Sequence, residues 1–252
     1  MSEPCVVSVI MPTRNRWESA WRCIHNLSRY TEERYEIILV DNASDFIPDY
    51  ILKRDDLYFI RNGWDRGEVA AINQGMKKAS GEYIVWLKQR AVPSHRWLTQ
   101  MIRVLKETPA AGMVGPMTNR GLEEQRLPVP FQALSKIHRF SNQYNHSDPR
   151  HWKEVSRLQS FCCVLPRAVV EEVGELDEWF GMGSHEVDDY GVRLKQAGYR
   201  LVVAGDTYVH QFRDTERNKV DLRERKKRES QNRRYFIHKW GSDVFEAADA
   251  RR

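Results

Sequence analysis

At 252 residues with 41% hydrophobic composition, the chain can bury a sizeable core and form one large α/β domain or two small ones. Its longest apolar stretches, such as residues 6–11 and 37–40, are too short to span a bilayer, and no basic segment precedes a long apolar one at the N-terminus. The expectation is a soluble, cytoplasmic protein without a transmembrane segment. Its four cysteines (Cys5, Cys23, Cys162 and Cys163) show neither a framework spacing nor a CxxC pair, which disfavours zinc and disulfide readings and leaves reduced structural thiols.

Residues 6–11 (VVSVIM) form a β-branched run stopped by Pro12, and residues 17–30 carry Trp17, Ala20, Trp21, Ile24 and Leu27 at helical spacing. A strand at 35–40 (YEIILV) ends in Asp41-Asn42-Ala43-Ser44-Asp45, a cluster that makes a turn and can cap a helix. A short strand follows at 57–60. Residues 66–79 read as a helix with Val69, Ile72, Met76 and Ala79 on one face, stopped by Gly81. The strand at 83–87 runs into Lys88-Gln89-Arg90, two cations and no carboxylate where an α/β protein usually handles its ligand. A helix at 93–107 and a strand at 112–115 come next. Residues 116–157, with Pro128 and Pro130, break the pattern as an insertion or a flexible acceptor-side region would. Regularity returns at 158–165, with helices at 167–173 and 187–197 and a strand at 199–204.

Repeated strand–helix alternation predicts a parallel sheet covered on both faces, with ligand-handling loops at 12–16, 41–45, 62–67 and 88–94. Between Arg213 and Arg234 ten Lys or Arg face five acids, an excess of five that equals the net charge of the whole chain. This run is either a solvated helix face or a grip for an anionic ligand. Nucleic-acid binding is disfavoured, because only Tyr235 and Phe236 offer aromatic stacking there. No GxGxxG follows the first strand, and no GxxxxGKS/T or GxSxG occurs, which argues against classical dinucleotide oxidoreductases, P-loop enzymes and α/β-hydrolases.

VSVIMPTRNR (7–16), EIILVDNAS (36–44), the 62–67 loop before AAINQGMKKASGEYIVWL (70–87), GELDEWFGMG (174–183) and EVDDYGVRLKQAGYRLVV (186–203) together resemble family 2 glycosyltransferases of the GT-A fold. The resemblance implies a single α/β domain with a mixed, mainly parallel sheet. It divides the chain into a nucleotide-sugar-binding half (1–115), an acceptor-side half (116–212) and a basic helical tail (213–252). It implies a nucleotide-diphospho-sugar donor, a carbohydrate or glycoconjugate acceptor, and inversion at the anomeric carbon. Pro12, Thr13 and Asn15 then fall around the nucleoside, and Asp41 accepts a hydrogen bond from a base N–H, or else forms a local Asx turn. Arg66 and Gly67, ahead of a helix N-terminus, suit a diphosphate. Asn73 is a ligand contact or a polar tie.

The departures are at two places. The family's acidic DxD triplet, which holds Mg²⁺ or Mn²⁺, is replaced by Lys88, Gln89 and Arg90, which cannot supply the hard oxygen ligands such an ion needs. No metal is expected at this place and no cofactor is implied. Lys88 and Arg90 can neutralise a departing diphosphate instead, or the loop is a solvated basic turn. Val187 stands at the family's catalytic Asp, so Glu186 or Asp188 must act as the base, with Asp189 a capping partner. His210 matches a family histidine that binds phosphate or packs. The leading reading is therefore a metal-independent or weakly metal-dependent inverting glycosyltransferase, and the alternative is a non-catalytic nucleotide-sugar or glycan-binding scaffold.

Overall fold

The computed structural model describes residues 6–181, 185–213 and 219–241. Cys5, the Met182-Gly183 end of the GELDEWFGMG block with the following Ser184, and residues 214–218 and 242–252 of the basic tail lie outside the described residues.

Eight strands form one sheet in the order β3-β2-β1-β4-β8-β6-β9-β7. In chain order they are β1 (Val7–Thr13), β2 (Tyr35–Asp41), β3 (Leu57–Arg61), β4 (Tyr83–Leu87), β6 (Ala111–Met117), β7 (Trp152–Val155), β8 (Cys162–Pro166) and β9 (Arg200–Tyr208). The pairs β1·β2, β1·β4, β2·β3 and β6·β9 are parallel, whereas β8 runs antiparallel between β4 and β6 and β7 runs antiparallel on β9. The sheet is thus mixed, not uniformly parallel as alternation alone suggested. Two further strands, β5 (Ala91–Val92) and β10 (His210–Gln211), make a separate antiparallel pair.

Continuous apolar runs in β1, β2 and β4 divide between the two faces because strand side chains alternate. Val9, Met11, Ile37, Leu39, Val85 and Leu87 pack with α1 (Trp17–Tyr30) and α4 (Trp97–Glu107). Ile10, Ile38, Val40, Ile84 and Trp86 pack with α3 (Glu68–Lys78) and α7 (Glu186–Gln196), joined by Phe236 of α8 (Lys219–Trp240). The short helices α2 (Asp49–Leu52) and α6 (Arg167–Val173) sit at β2–β3 and after β8. Each fully buried Ile or Leu on these faces contributes roughly 1.5–3 kcal/mol relative to exposure.

Three local expectations shift. The helix after β5 begins at Trp97 rather than residue 93, because Arg96 adopts a left-handed conformation with φ 55°. Residues 116–157 contain the helix α5 (Leu134–Tyr144), and its buried Ile137 and Ser141 face the core. Leu134, Ile137 and Tyr144 keep helical spacing there, but the flanking prolines mask the signal. Trp21 lies at the rim of the α1 face, half-exposed, with its edge on Tyr50 at 5.3 Å and the Arg54 guanidinium over its ring.

At the amino end of the sheet, Glu36 ties β1, β2 and the turn before β4 together, accepting hydrogen bonds from Ser8 Oγ at 2.6 Å, Ser80 N at 2.6 Å and Ser80 Oγ at 2.7 Å. A Cβ on the adjacent Gly81 would lie 2.6 Å from Ser8 N and 2.7 Å from Val7 C. The backbone of β1 cannot yield there without breaking the ladder. Gly81→Ala is therefore expected to cost about 1–3 kcal/mol, read as a lower urea midpoint with an unchanged slope.

Candidate functional site

The carboxyl ends of β1, β2, β3 and β4 open on one side of the sheet, and the loops that follow them are built from polar side chains bonded to one another. Thr13 ends β1 and donates its hydroxyl to Gln89 Oε1 at 2.6 Å, while its carbonyl accepts Asn42 N at 2.8 Å. Pro12 lies in the ladder opposite Val40. Asn15, with φ 53°, closes a reciprocal pair with Asp45: its Nδ2 donates to Asp45 Oδ2 at 3.0 Å and its Oδ1 accepts Asp45 N at 2.8 Å.

Asp41 is fully buried at the end of β2. Its Oδ1 accepts the backbone N–H of Ser44 at 3.1 Å and the Ser44 hydroxyl, and its Oδ2 stands 3.7 Å from Arg61 Nε. The local Asx turn is formed, and it leaves the second oxygen turned toward an exposed cation. Asn42 and Asp65 organise the next loop: Asn42 Oδ1 accepts Arg66 N at 3.0 Å, and Asp65 Oδ1 accepts both Asn42 Nδ2 at 2.8 Å and Gly67 N at 3.0 Å. The Arg66 side chain is exposed.

The N-terminus of α3 is partly occupied. Gly67, at φ 84°, lies so close to Gly181 that a Cβ would meet its carbonyl at 2.9 Å, and Val69 N donates to Gly181 O at 3.0 Å. Asn73 is committed to the same segment, its Nδ2 donating to Leu176 O at 2.9 Å and Glu178 Oε1 at 3.1 Å while Leu176 N donates to Asn73 Oδ1 at 3.0 Å.

Lys88 follows β4 directly, and its ammonium sits between two carboxylates that each open a helix. Its Nζ is 3.0 Å from Glu68 Oε1 and 3.2 Å from Glu68 Oε2 at the start of α3, and 4.0 Å from Glu186 Oε1 at the start of α7. Burial alone would lower the proton affinity of Lys88, but the attraction of Glu68 and Glu186 outweighs it and raises its pKa. Glu186 is 2% exposed, and its Oε1 has no hydrogen-bond partner among the described residues. Burial raises its pKa, and Lys88 offsets only part of that rise. Beneath it, burial and then the Glu186 charge push the Cys163 thiol up to about 12, an unreactive core group.

Asp188 is differently placed. Arg157 grips it with two bonds of 2.8 Å and His185 Nδ1 lies 2.9 Å from Oδ2. Burial would raise its pKa, yet these donors hold it below the usual value. Val187 is buried in the core, and Asp189 is tied to Arg193 Nε at 3.1 Å, Lys239 Nζ at 2.8 Å and Trp240 Nε1 at 2.8 Å. His210 pairs across β10·β5 with Val92, close to Arg90, whose carbonyl accepts Phe212 N at 3.0 Å. The imidazole is fully buried, with Nδ1 2.8 Å from the Tyr208 hydroxyl and Nε2 3.4 Å from Gln132 Oε1.

The structure thus brings Lys88 and Glu186 together, joins Thr13 to the strand-end loop through Gln89, and draws His210 beside that loop. Asn73, Asp188 and Asp189 are occupied in tying elements together. Glu68 and Arg157 complete the site without having been singled out from the sequence, and Gln89, noted there only as lacking a carboxylate, serves as the acceptor for Thr13. A Glu at the first turn after Gly67 was the available signal for Glu68, whereas Arg157 lies 31 residues from its partner and left none.

Burial, followed by the Arg120 charge, lowers the His210 pKa from 6.5 to about 4. The unfolded chain therefore takes up this proton first as pH falls, and stability declines from pH 6.5 toward about 4. His138, lowered to about 4 chiefly by burial, adds to the same decline. Urea midpoints across this range are expected to fall less steeply in a His138→Gln, His210→Gln variant than in the wild type.

The family described as Glycosyl transferase family 2 matches residues 8–174. Glycosyltransferase AglE of Haloferax volcanii is 25% identical over 207 residues, 79% of this chain and 64% of its own length. The O-antigen biosynthesis protein RfbC of Myxococcus xanthus is 27% identical over 218 residues, 80% of this chain and 17% of its own length. The chain therefore spans less than two thirds of either relative. Among solved structures, GalNAc-T7 with UDP, GalNAc and Mn²⁺ aligns with a TM-score of 0.66 and 16% identity over 86% of this chain and 45% of its own. The Pyrobaculum calidifontis mannosyltransferase PcManGT, in complex with GDP-Man and Mn²⁺, aligns at 0.62 and 18% over 85% and 59%. Both share the GT-A fold with this sheet.

Those two structures hold Mn²⁺, and the residues here do not fit such an ion at the end of β4. Lys88, Gln89 and Arg90 offer no carboxylate, the neighbouring Glu68 and Glu186 already flank an ammonium, and no group of three His, Cys, Asp or Glu side chains with metal-holding geometry occurs among the described residues. With its fold, its strand-end loops and a family match covering well over half of its length, the chain belongs to glycosyl transferase family 2.

Proposed function

We propose that the protein transfers a sugar, with inversion, from a nucleotide-diphospho-sugar to an acceptor hydroxyl, using Glu186 as the base and Lys88 where relatives place a metal ion. The observation that carries this reading is the Glu68–Lys88–Glu186 arrangement at the carboxyl end of β4. A buried carboxylate of raised proton affinity with an unbonded oxygen suits a general base better than Asp188, whose two oxygens are held by Arg157 and His185.

In this reaction the acceptor oxygen bonds to the anomeric carbon, its proton passes to Glu186, and the bond from that carbon to the diphosphate oxygen breaks. Negative charge then develops on the departing nucleoside diphosphate. Protonation of Glu186 removes one of the two negative charges beside Lys88 at that moment, so the ammonium turns from balancing two carboxylates to balancing Glu68 and the leaving group. Arg90 and the exposed Arg66 add positive charge around the mouth of the site. Asp41 and the Asn15–Asp45 pair shape the nucleoside end.

A second reading has its own support: Val187 is buried in the core where relatives carry their base, as in a protein that binds a nucleotide-sugar without turning it over.

Incubation with UDP-, GDP- and dTDP-sugars, with EDTA or with Mn²⁺, separates these readings. Transfer or hydrolysis that survives EDTA is expected, activity restricted to added Mn²⁺ refutes the role given to Lys88, and binding without turnover supports the second reading. Glu186→Gln is expected to lower kcat by roughly 10²–10⁴-fold with donor affinity retained. Lys88→Ala combined with Arg90→Ala should weaken the nucleoside diphosphate by about 1.5–3 kcal/mol per lost charge-assisted contact while sparing the free nucleoside.

A further inference from the structure

Among the described residues, the last three turns of α8 hold it to the body of the protein. Asn232 Nδ2 donates to Phe180 O at 2.9 Å, Tyr235 stacks on Trp179 at 3.9 Å and donates to Asp177 at 3.0 Å, and Lys239 bridges Asp177 at 2.7 Å and Asp189 at 2.8 Å. Phe236 is fully buried among them. This anchoring fixes which way the rest of the helix faces.

Between Arg223 and Arg234 the sequence holds seven cations and two acids, Glu224 and Glu229, an excess of five that equals the net charge of the chain. Arg223, Lys226, Lys227, Arg228, Arg233 and Arg234 are exposed. At 3.6 residues per turn, Arg223, Lys227 and Arg234 fall within about 40° of one another and about half a turn from the docked Asn232 and Phe236. Arg223, Lys227 and Arg234 therefore form a strip roughly 16 Å long on the outward face. Arg223, Lys226, Lys227, Arg233 and Arg234 share a sector of about 120° that holds no acid, while Glu224 and Glu229 lie at its flanks, four residues before Arg228 and Arg233.

From this strip we infer that α8 is a docking surface for an anionic lipid bilayer. Four to eight Lys or Arg on one helix face match the charge density of acidic headgroups. A bilayer asks nothing further of the strip, whereas a single-stranded nucleic acid asks for aromatic platforms between the charges. Tyr235 is already stacked on Trp179 and Phe236 is buried, so neither serves as one. The contact is electrostatic and peripheral: no described helix is long and apolar enough to cross a membrane. The inference is independent of the reaction proposed above, since it concerns a face anchored beside α7 and not the strand-end loops.

Co-sedimentation of the full chain with vesicles tests it. Binding is expected to phosphatidylcholine vesicles containing roughly a third phosphatidylglycerol, but not to phosphatidylcholine alone, with release in high salt. The triple variant Arg223→Glu, Lys227→Glu, Arg234→Glu should bind more than about tenfold more weakly, with circular dichroism and thermal midpoint unchanged, and the matching triple Gln variant should fall between the two. Equal binding to neutral vesicles, no binding to acidic ones, or tighter binding to a single-stranded oligonucleotide than to acidic vesicles would each overturn the inference.

Discussion

The ammonium of Lys88 is the point on which the working end of the molecule is balanced. β4 delivers it to a place where α3 and α7 both begin, and each helix opens with a glutamate, Glu68 and Glu186. Carboxylates are favoured at helix N-termini. Two of them converging on one strand end would nevertheless repel each other without a cation between them. In this chain the ammonium of Lys88 stands between them and offsets part of that repulsion. The same arrangement explains why Glu186 holds its proton more tightly than an ordinary glutamate even beside a lysine: Lys88 is shared with Glu68, and burial is the larger effect.

Around this centre, the parts that hold and the parts that react are separated along the strands. At the amino end, Oε1 of Glu36 gathers Ser8 and Ser80 and ties the strands together. At the carboxyl end the loops keep exposed or incompletely used groups, among them Arg66, the second oxygen of Asp41 and the buried oxygen of Glu186. Between the two, one block of structure supports α7. Asn73 fastens α3 to the backbone at Leu176, Gly67 packs against Gly181, and Asp177 and Asp189 receive α8. The placement of Glu186 therefore depends on residues from three helices, and the C-terminal helix is part of that support.

Much of the fold was readable because it rests on local periodicity. The run 17–30 with its apolar residues every third or fourth position became α1 with the same limits, and 83–87 became β4, since nothing in the tertiary structure competes with so strong a local pattern. Strand direction was not readable from periodicity, and the mixed sheet was implied only by the family resemblance. β8 joins the sheet antiparallel between β4 and β6, a choice made by long-range pairing that periodicity does not encode. The helix α5 was missed for a related reason: only Ile137 and Ser141 are buried, so its apolar stripe is too thin to stand out against the prolines before it.

For the site, sequence alone determined the chemical inventory: two cations and no carboxylate after β4, a valine between acids at the start of α7, and one basic segment carrying the excess charge of the chain. These follow from residue identity, which folding does not alter. Only the tertiary structure decided what each group is available to do. It gave Asp188 to Arg157 and His185, gave Asn73 to a backbone segment more than a hundred residues away, left an oxygen of Glu186 unbonded, and turned Arg223, Lys227 and Arg234 of α8 outward. Availability depends on burial and on partners distant in the chain, and both come into being only when the chain has folded.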